Sequence, residues 1–234
     1  MFGTLKQRAK AAFRAKRGAC VGFAAMYMIL FPLMDFSMYY LIMLFRRHSS
    51  LILTAGYIIS FVFIACLSLG MCVFFLRLAK REEADFSMFF DGFGNMPRAV
   101  GVSFFALLFT TLWSLLLFFP GIIASYRYRM SLYILAESPE ISPLDAIRIS
   151  KKMMAGKKGR LFLLDLSFIG WFLLSLVTFG IAGLYFIPYR LAADAEFYRE
   201  IKAEYIEGLR SEKSSGKNPS YRSEEEKENH TWNT

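Results

Sequence analysis

Seven ionisable side chains lie inside or at the ends of apolar runs: Asp35, Arg127, Arg129, Asp165, Arg190, Asp194 and Glu196. A charge in an apolar layer is costly, and it persists there by facing a partner charge, a water-filled cavity or the interface. These residue types allow three kinds of chemistry. The arginines can close ion pairs on the carboxylates and fix helix packing. They can hold a lipid head group or a solute in a polar cavity. The carboxylates can also serve a lipid-modifying reaction inside the layer. Metal and triad catalysis have no motif to carry them. His48 and His230 are the only histidines, and no HExxH, GxSxG or Cys/His pairing occurs. The sequence therefore points away from a metal or triad enzyme and implies no cofactor. The glycines of Asp91-Gly92-Phe93-Gly94-Asn95 read as turn chemistry, since no GK[ST] follows to make a phosphate loop. Cys20, Cys66 and Cys72 match no zinc or disulfide frame and read as packed or lipid-facing thiols.

The elements that must position these charges are set by composition. The chain has 234 residues, 56% of them apolar, against roughly 45–50% in soluble domains. Phe alone accounts for 25 residues, more large side chains than a soluble core of this size can hide. The expected fold is all-α and polytopic. Six spans run at about 19–45, 51–76, 100–119, 122–136, 161–178 and 184–198. Pro32 and Pro188 sit inside spans, where a kink is tolerated. Pro120-Gly121 separates the third span from the short fourth, which carries Arg127 and Arg129. Gly180 and Gly183 allow a tight turn before the sixth.

Three polar segments complete the layout. Residues 1–18 form a basic amphipathic helix, with Phe2, Leu5, Ala9, Ala12 and Phe13 on one face. It reads equally as an interfacial helix on an anionic leaflet or as a topology determinant. A second polar helix begins at Ser142, a good N-cap, followed by Pro143 and Asp145, and Gly156 should stop it. Residues 207–234 are Ser-, Lys- and Glu-rich and read as a disordered tail behind the domain at 19–206.

Lysine and arginine counts orient the chain. The prelude, the second loop and the loop after the fourth span carry 16 of them, while the opposite side has only Arg46 and Arg47. That bias places both termini in the cytoplasm of a multi-pass cell-membrane protein. It also accounts for the net charge of +9, which without a recognised motif does not signal nucleic acid. Membrane lipids, and a membrane-protein partner or a second copy of the chain, are the expected partners.

Rise per residue gives crude depths. Arg129 lies about 12 Å in from Glu137, and Asp165 and Asp194 each lie about 8 Å in from Arg160 and Arg199. A candidate cluster of Arg127, Arg129, Asp165, Asp194 and Asp35 follows. Arg129 should reach Asp165 or Asp194, and Arg127 is nearer the height of Asp35. Gly170, between Ser167 and Trp171, is expected to allow close helix approach, with Trp171 filling volume. Together with Pro120, Gly121 and Pro188, these residues form the candidate packing motif.

Pro120-Gly121-Ile122-Ile123, Tyr126 with Tyr128, Ala146 to Ser150 before Met153-Met154-Ala155-Gly156, and Leu166 to Trp171 recur in one family. So do Thr178-Phe179-Gly180-Ile181, Pro188-Tyr189 and Phe197-Tyr198. Over residues 5–205 the chain resembles this integral membrane family, common in Gram-positive bacteria and of unknown function. The Pro-Gly-Ile turn and the polar helix after it are also similar to the membrane domain attached to some glycerophosphodiester phosphodiesterases, which is not their catalytic part. The resemblance implies a six-helix fold and no activity. The functions to weigh are a non-enzymatic accessory, scaffold or lipid- and envelope-associated protein, a small transporter or channel subunit, and a lipid-modifying enzyme.

Overall fold

A computed structural model describes residues 2–45, 50–116, 118–178 and 180–214, and its regular structure there is entirely helical. The order is α1 (Phe2–Ala15), α2 (Arg17–Phe45), α3 (Ser50–Lys80), a 3-10 turn (Phe86–Phe90) and α4 (Asp91–Gly94). Then come α5 (Met96–Leu116), α6 (Phe118–Tyr128), α7 (Ser131–Glu137), α8 (Pro143–Met153), α9 (Lys158–Leu166), α10 (Ile169–Val177) and α11 (Gly183–Ser214). Among the described residues, three helical stretches are long and apolar enough to cross a membrane: Thr54–Lys80, Met96–Leu115 and Lys158–Val177.

Burial is uneven along the long helices. In α3, most residues from Ala65 to Ala79 are buried, whereas Leu51 is 77% and Ile59 69% exposed. In α11 the run Ala192–Tyr198 is buried throughout. α10 buries none of its residues, and Leu176 and Val177 are more than two-thirds exposed. The packed core thus gathers at one end, where α1, α3, α7, α8 and α11 meet. Apolar side chains at the other end face outward, as lipid would allow.

The apolar face of α1 is part of that core. Leu5, Ala9 and Phe13 are buried, and the Phe13 ring meets Tyr185 of α11 edge-on at 5.0 Å. The stripe that reads in sequence as lipid-seeking is instead occupied by protein. An amphipathic pattern records only that one face leaves water, not what covers it.

Glycines place α4 and the 3-10 turn on α3. A Cβ on Gly70 would lie 2.1 Å from the Phe89 carbonyl oxygen, and one on Gly92 1.9 Å from that of Cys66. The segment read as turn chemistry is therefore also a close backbone contact. Gly121 packs the same way, with Ser114 of α5 2.0 Å from where its Cβ would be. Gly170 meets nothing within 4 Å, so the close approach expected there is absent. Trp171 stays 38% exposed, its ring 5.6 Å from Tyr185, and the Ser167 hydroxyl donates within its own segment.

α8 forms as its sequence dictates. Ser142 caps it by accepting from the Asp145 amide at 3.2 Å, and Pro143 is its first residue. Gly156, beyond its end, takes a left-handed φ of +73°. α11 contains Pro188 and continues past Ile206 to Ser214. The rest of the expected tail, 215–234, lies outside the described residues.

Candidate functional site

Arg129 sits in the break between α6 and α7, and Asp165 lies two residues ahead of the break between α9 and α10. A broken helix frees carbonyls that must find other donors in an apolar layer. Serines supply them here. Ser131 Oγ donates to the Tyr128 carbonyl at 2.6 Å, and Ser150 Oγ of α8 to that of Arg127 at 2.8 Å. Ser167 Oγ donates to the Leu164 carbonyl at 2.5 Å. Both breaks are thereby held locally, which aims Arg129 and Asp165 at each other.

The Arg129 guanidinium spans two carboxylates. Its Nη1 donates to Asp165 Oδ2 at 2.6 Å and its Nη2 to Asp194 Oδ2 at 2.8 Å. Asp165 Oδ2 also accepts from the Tyr126 hydroxyl at 2.9 Å. On its other oxygen, Arg190 donates from Nη2 at 2.8 Å and from Nε at 3.3 Å. Asp165 thus receives three donor groups, from α6, from the α6–α7 break and from α11. Asp194 is more buried, with its side chain 6% exposed, and its Oδ1 has no hydrogen-bond partner. Two arginines and two aspartates leave the cluster formally neutral, which lowers the cost of its position.

The other sequence candidates fall elsewhere. Arg127 makes no side-chain hydrogen bond or ion pair among the described residues. The side chain of Asp35 lies outside them, so its expected partnership with Arg127 has no geometry to report. Glu196 pairs with Arg199 at 3.3 Å, one turn on. Arg190 and Tyr126 were missed as members of the cluster, although spacing marks both. Arg190 precedes Asp194 by four residues on one helix, and Tyr126 precedes Arg129 by three, so each shares a face with a residue that was found.

Two clefts are lined by members of the cluster. One of about 370 Å³, between α9, α10 and α11, has Asp165 and Arg190 in a wall otherwise built from Phe162, Leu166, Phe168, Ile169, Phe172 and Phe186. The other, of about 680 Å³ between α5, α6 and α7, is lined by Arg129 and Tyr126 and by Ser103, Thr110 and Ser125.

A second polar layer ties the packed end together. Glu137, closing α7, accepts from Lys80 of α3 and Lys202 of α11, each at 2.6 Å, and from the Tyr198 hydroxyl at 2.8 Å. Arg160 binds Glu200 and Glu204, and Lys157 also binds Glu204. Arg199 donates to the Ala79 carbonyl at 2.5 Å and Lys16 to that of Ala84 at 2.8 Å.

Burial raises the Glu137 carboxyl, but its bonds to Lys202, Lys80 and Tyr198 outweigh this and hold it below the usual carboxylate range. A carboxyl lowered by folding contributes stability above its unfolded pKa, about 4.3, and loses it as pH falls through the folded value. In melting scans in detergent, Glu137→Gln should be the less stable chain at about pH 7. The difference should shrink below about pH 4.3. A constant difference across the range would show that Glu137 acts without its charge.

Residues 104–205 match the profile of a family described as protein of unknown function (DUF975). The match covers just under half of the chain, from within α5 to within α11. It takes in the whole Arg129, Asp165, Arg190 and Asp194 cluster, both helix breaks and α8, and leaves out α1 to α4. No curated protein and no solved structure matches the chain. This match supports an uncharacterised family and indicates no activity.

Proposed function

We propose that the chain is a six-pass protein of the cell membrane, with both termini cytoplasmic, that works without catalysis as a lipid- or envelope-associated scaffold or accessory subunit. The observation that carries this reading is the closure of the charges on one another. Arg129 takes up Asp165 and Asp194 at 2.6 and 2.8 Å, and Asp165 also accepts from Arg190 at 2.8 Å. A catalytic or transport pathway needs charges that face a common water-filled space. Here they serve first as ties between α6, α7, α9 and α11.

Orientation is the part most directly tested. Reporter fusions at Ser49 and Gly180 should read extracytoplasmic, and one at Glu212 cytoplasmic, following the charge bias. A cytoplasmic reading at Ser49 would remove the six-pass arrangement.

A small transporter or channel subunit is the second reading. It draws on the two helix breaks beside the charges, since broken helices form the substrate sites of many transporters. If Arg129→Leu/Asp194→Leu folds but fails to complement loss of the natural chain, this second reading gains. Complementation by that chain supports the scaffold.

A further inference from the structure

We propose that the cleft between α9, α10 and α11 holds a phospholipid by its phosphate, which Arg190 receives while an acyl chain lies along the apolar wall of α10. The proposal rests on the six-pass reading and names the lipid class that the protein would engage.

Three features of the cleft carry it. The first is donor supply. Arg190 gives Nε and Nη2 to Asp165 Oδ1, its side chain is 36% exposed, and its Nη1 has no protein partner among the described residues. Arg190 lines this cleft, and a guanidinium N–H without a protein acceptor in a largely apolar cleft is best satisfied by an acceptor from outside the protein. A phosphate oxygen is the acceptor for which a guanidinium is best suited. Asp165 does not preclude this, because Arg129 and Tyr126 donate to its other oxygen.

Depth is the second feature. Asp165 stands five residues beyond Arg160, about 8 Å along the helix. Each interfacial region of a bilayer is roughly 5–7 Å thick, so the cluster lies near the base of the head groups, within reach of a phosphate.

The third is the wall. Ile169 and Phe172 of α10 are 53% and 59% exposed, and Phe162 and Leu166 continue the apolar surface along α9. No residue of α10 is buried by protein. The cleft therefore offers one charged donor above a surface suited to an acyl chain, the two parts of a single amphiphile.

The test uses the full chain in detergent, loaded with dioleoyl phosphatidylglycerol, with dioleoylglycerol lacking the phosphate, or with inorganic phosphate alone. Native mass spectrometry counts the bound molecules. The phospholipid should be retained and the other two should not. Arg190→Gln and Ile169→Trp should each weaken retention about ten-fold, the former by removing a charge-assisted bond and the latter by filling the cleft. Ile169→Trp leaves the ion pairs untouched, so it remains decisive even if Arg190→Gln does not fold. Unchanged retention in Ile169→Trp, or dioleoylglycerol held as well as the phospholipid, overturns the proposal. Inorganic phosphate retained alone would make the site one for a free anion and also overturns it. The reporter fusions at Ser49, Gly180 and Glu212 report independently on the six-pass reading, so the two failures can be told apart.

Discussion

Arg129→Leu is expected to lower the stability of the folded chain by about 3–5 kcal/mol, and neutralising Asp194 is expected to restore much of that loss. The asymmetry between the two aspartates decides the partner. When Arg129 goes, Asp165 still accepts from Arg190 at 2.8 Å and from Tyr126 at 2.9 Å. Asp194 has no such reserve. Its ion pair to Arg129 is the one it makes among the described residues, and its Oδ1 is already without a hydrogen bond. A carboxylate buried and stranded in this way destabilises its surroundings. Melting of Arg129→Leu, Asp194→Asn and the double variant in mild detergent gives the coupling directly. It should be about 1–3 kcal/mol for Asp194 and smaller for the corresponding cycle with Asp165. Additive behaviour at both aspartates would mean that the contacts carry no energy of their own.

The second large effect concerns backbone contact instead of charge. Gly92→Ala and Gly70→Ala should each cost about 3 kcal/mol, the upper part of the usual range for overpacking. The added methyl would meet the Cys66 carbonyl oxygen at 1.9 Å or the Phe89 carbonyl oxygen at 2.1 Å. Main-chain atoms cannot swing aside as a side-chain tip can, so α4 and the 3-10 turn would have to lift from α3. Gly94→Ala and Gly170→Ala are the matched controls, because nothing lies within 4 Å of either position. They should be neutral or gain up to about 1 kcal/mol from the helix propensity of alanine. If all four variants melted alike, the contact between α3 and α4 would not be a determinant of the fold.

How much of this was legible in the sequence depends on the range of the interaction. Caps are local, so Ser142 and Pro143 could be read as the start of α8, whereas the helix ends at a Met154 cap, two residues before the stop expected at Gly156. The search of Arg129 for Asp165 or Asp194 could also be framed in advance, because apolar runs fix depth and depth limits which charges can meet. That Arg129 takes both could not, since it depends on the rotation of α9 and α11 about their axes. Residue spacing does not set rotation. The helix breaks escaped for a related reason. Tyr128 to Ser131 and Leu164 to Phe168 hold no proline or glycine. They break where serine hydroxyls take over carbonyls, an alternative hydrogen bond that a hydropathy pattern does not record. Gly70 passed unremarked inside an apolar run, because what makes it a glycine is a carbonyl 19 residues away. The α1 stripe was seen, but its partner α11 lies at the far end of the chain.

The reach of Arg129 also sets an order of events during synthesis. Its two counter-charges follow it by 36 and 65 residues. At roughly 5–20 residues per second, the arginine emerges about 2–7 s before Asp165 and about 3–13 s before Asp194. Over that interval the α6–α7 segment carries Arg127 and a still unpaired Arg129, which on the six-pass arrangement disfavours its transfer into lipid. Its short apolar length adds to the reluctance. On the six-pass arrangement proposed above, arrival of α9 and then α11 supplies the missing charges, so the α6–α7 segment is expected to settle into the bilayer only after α11 is made.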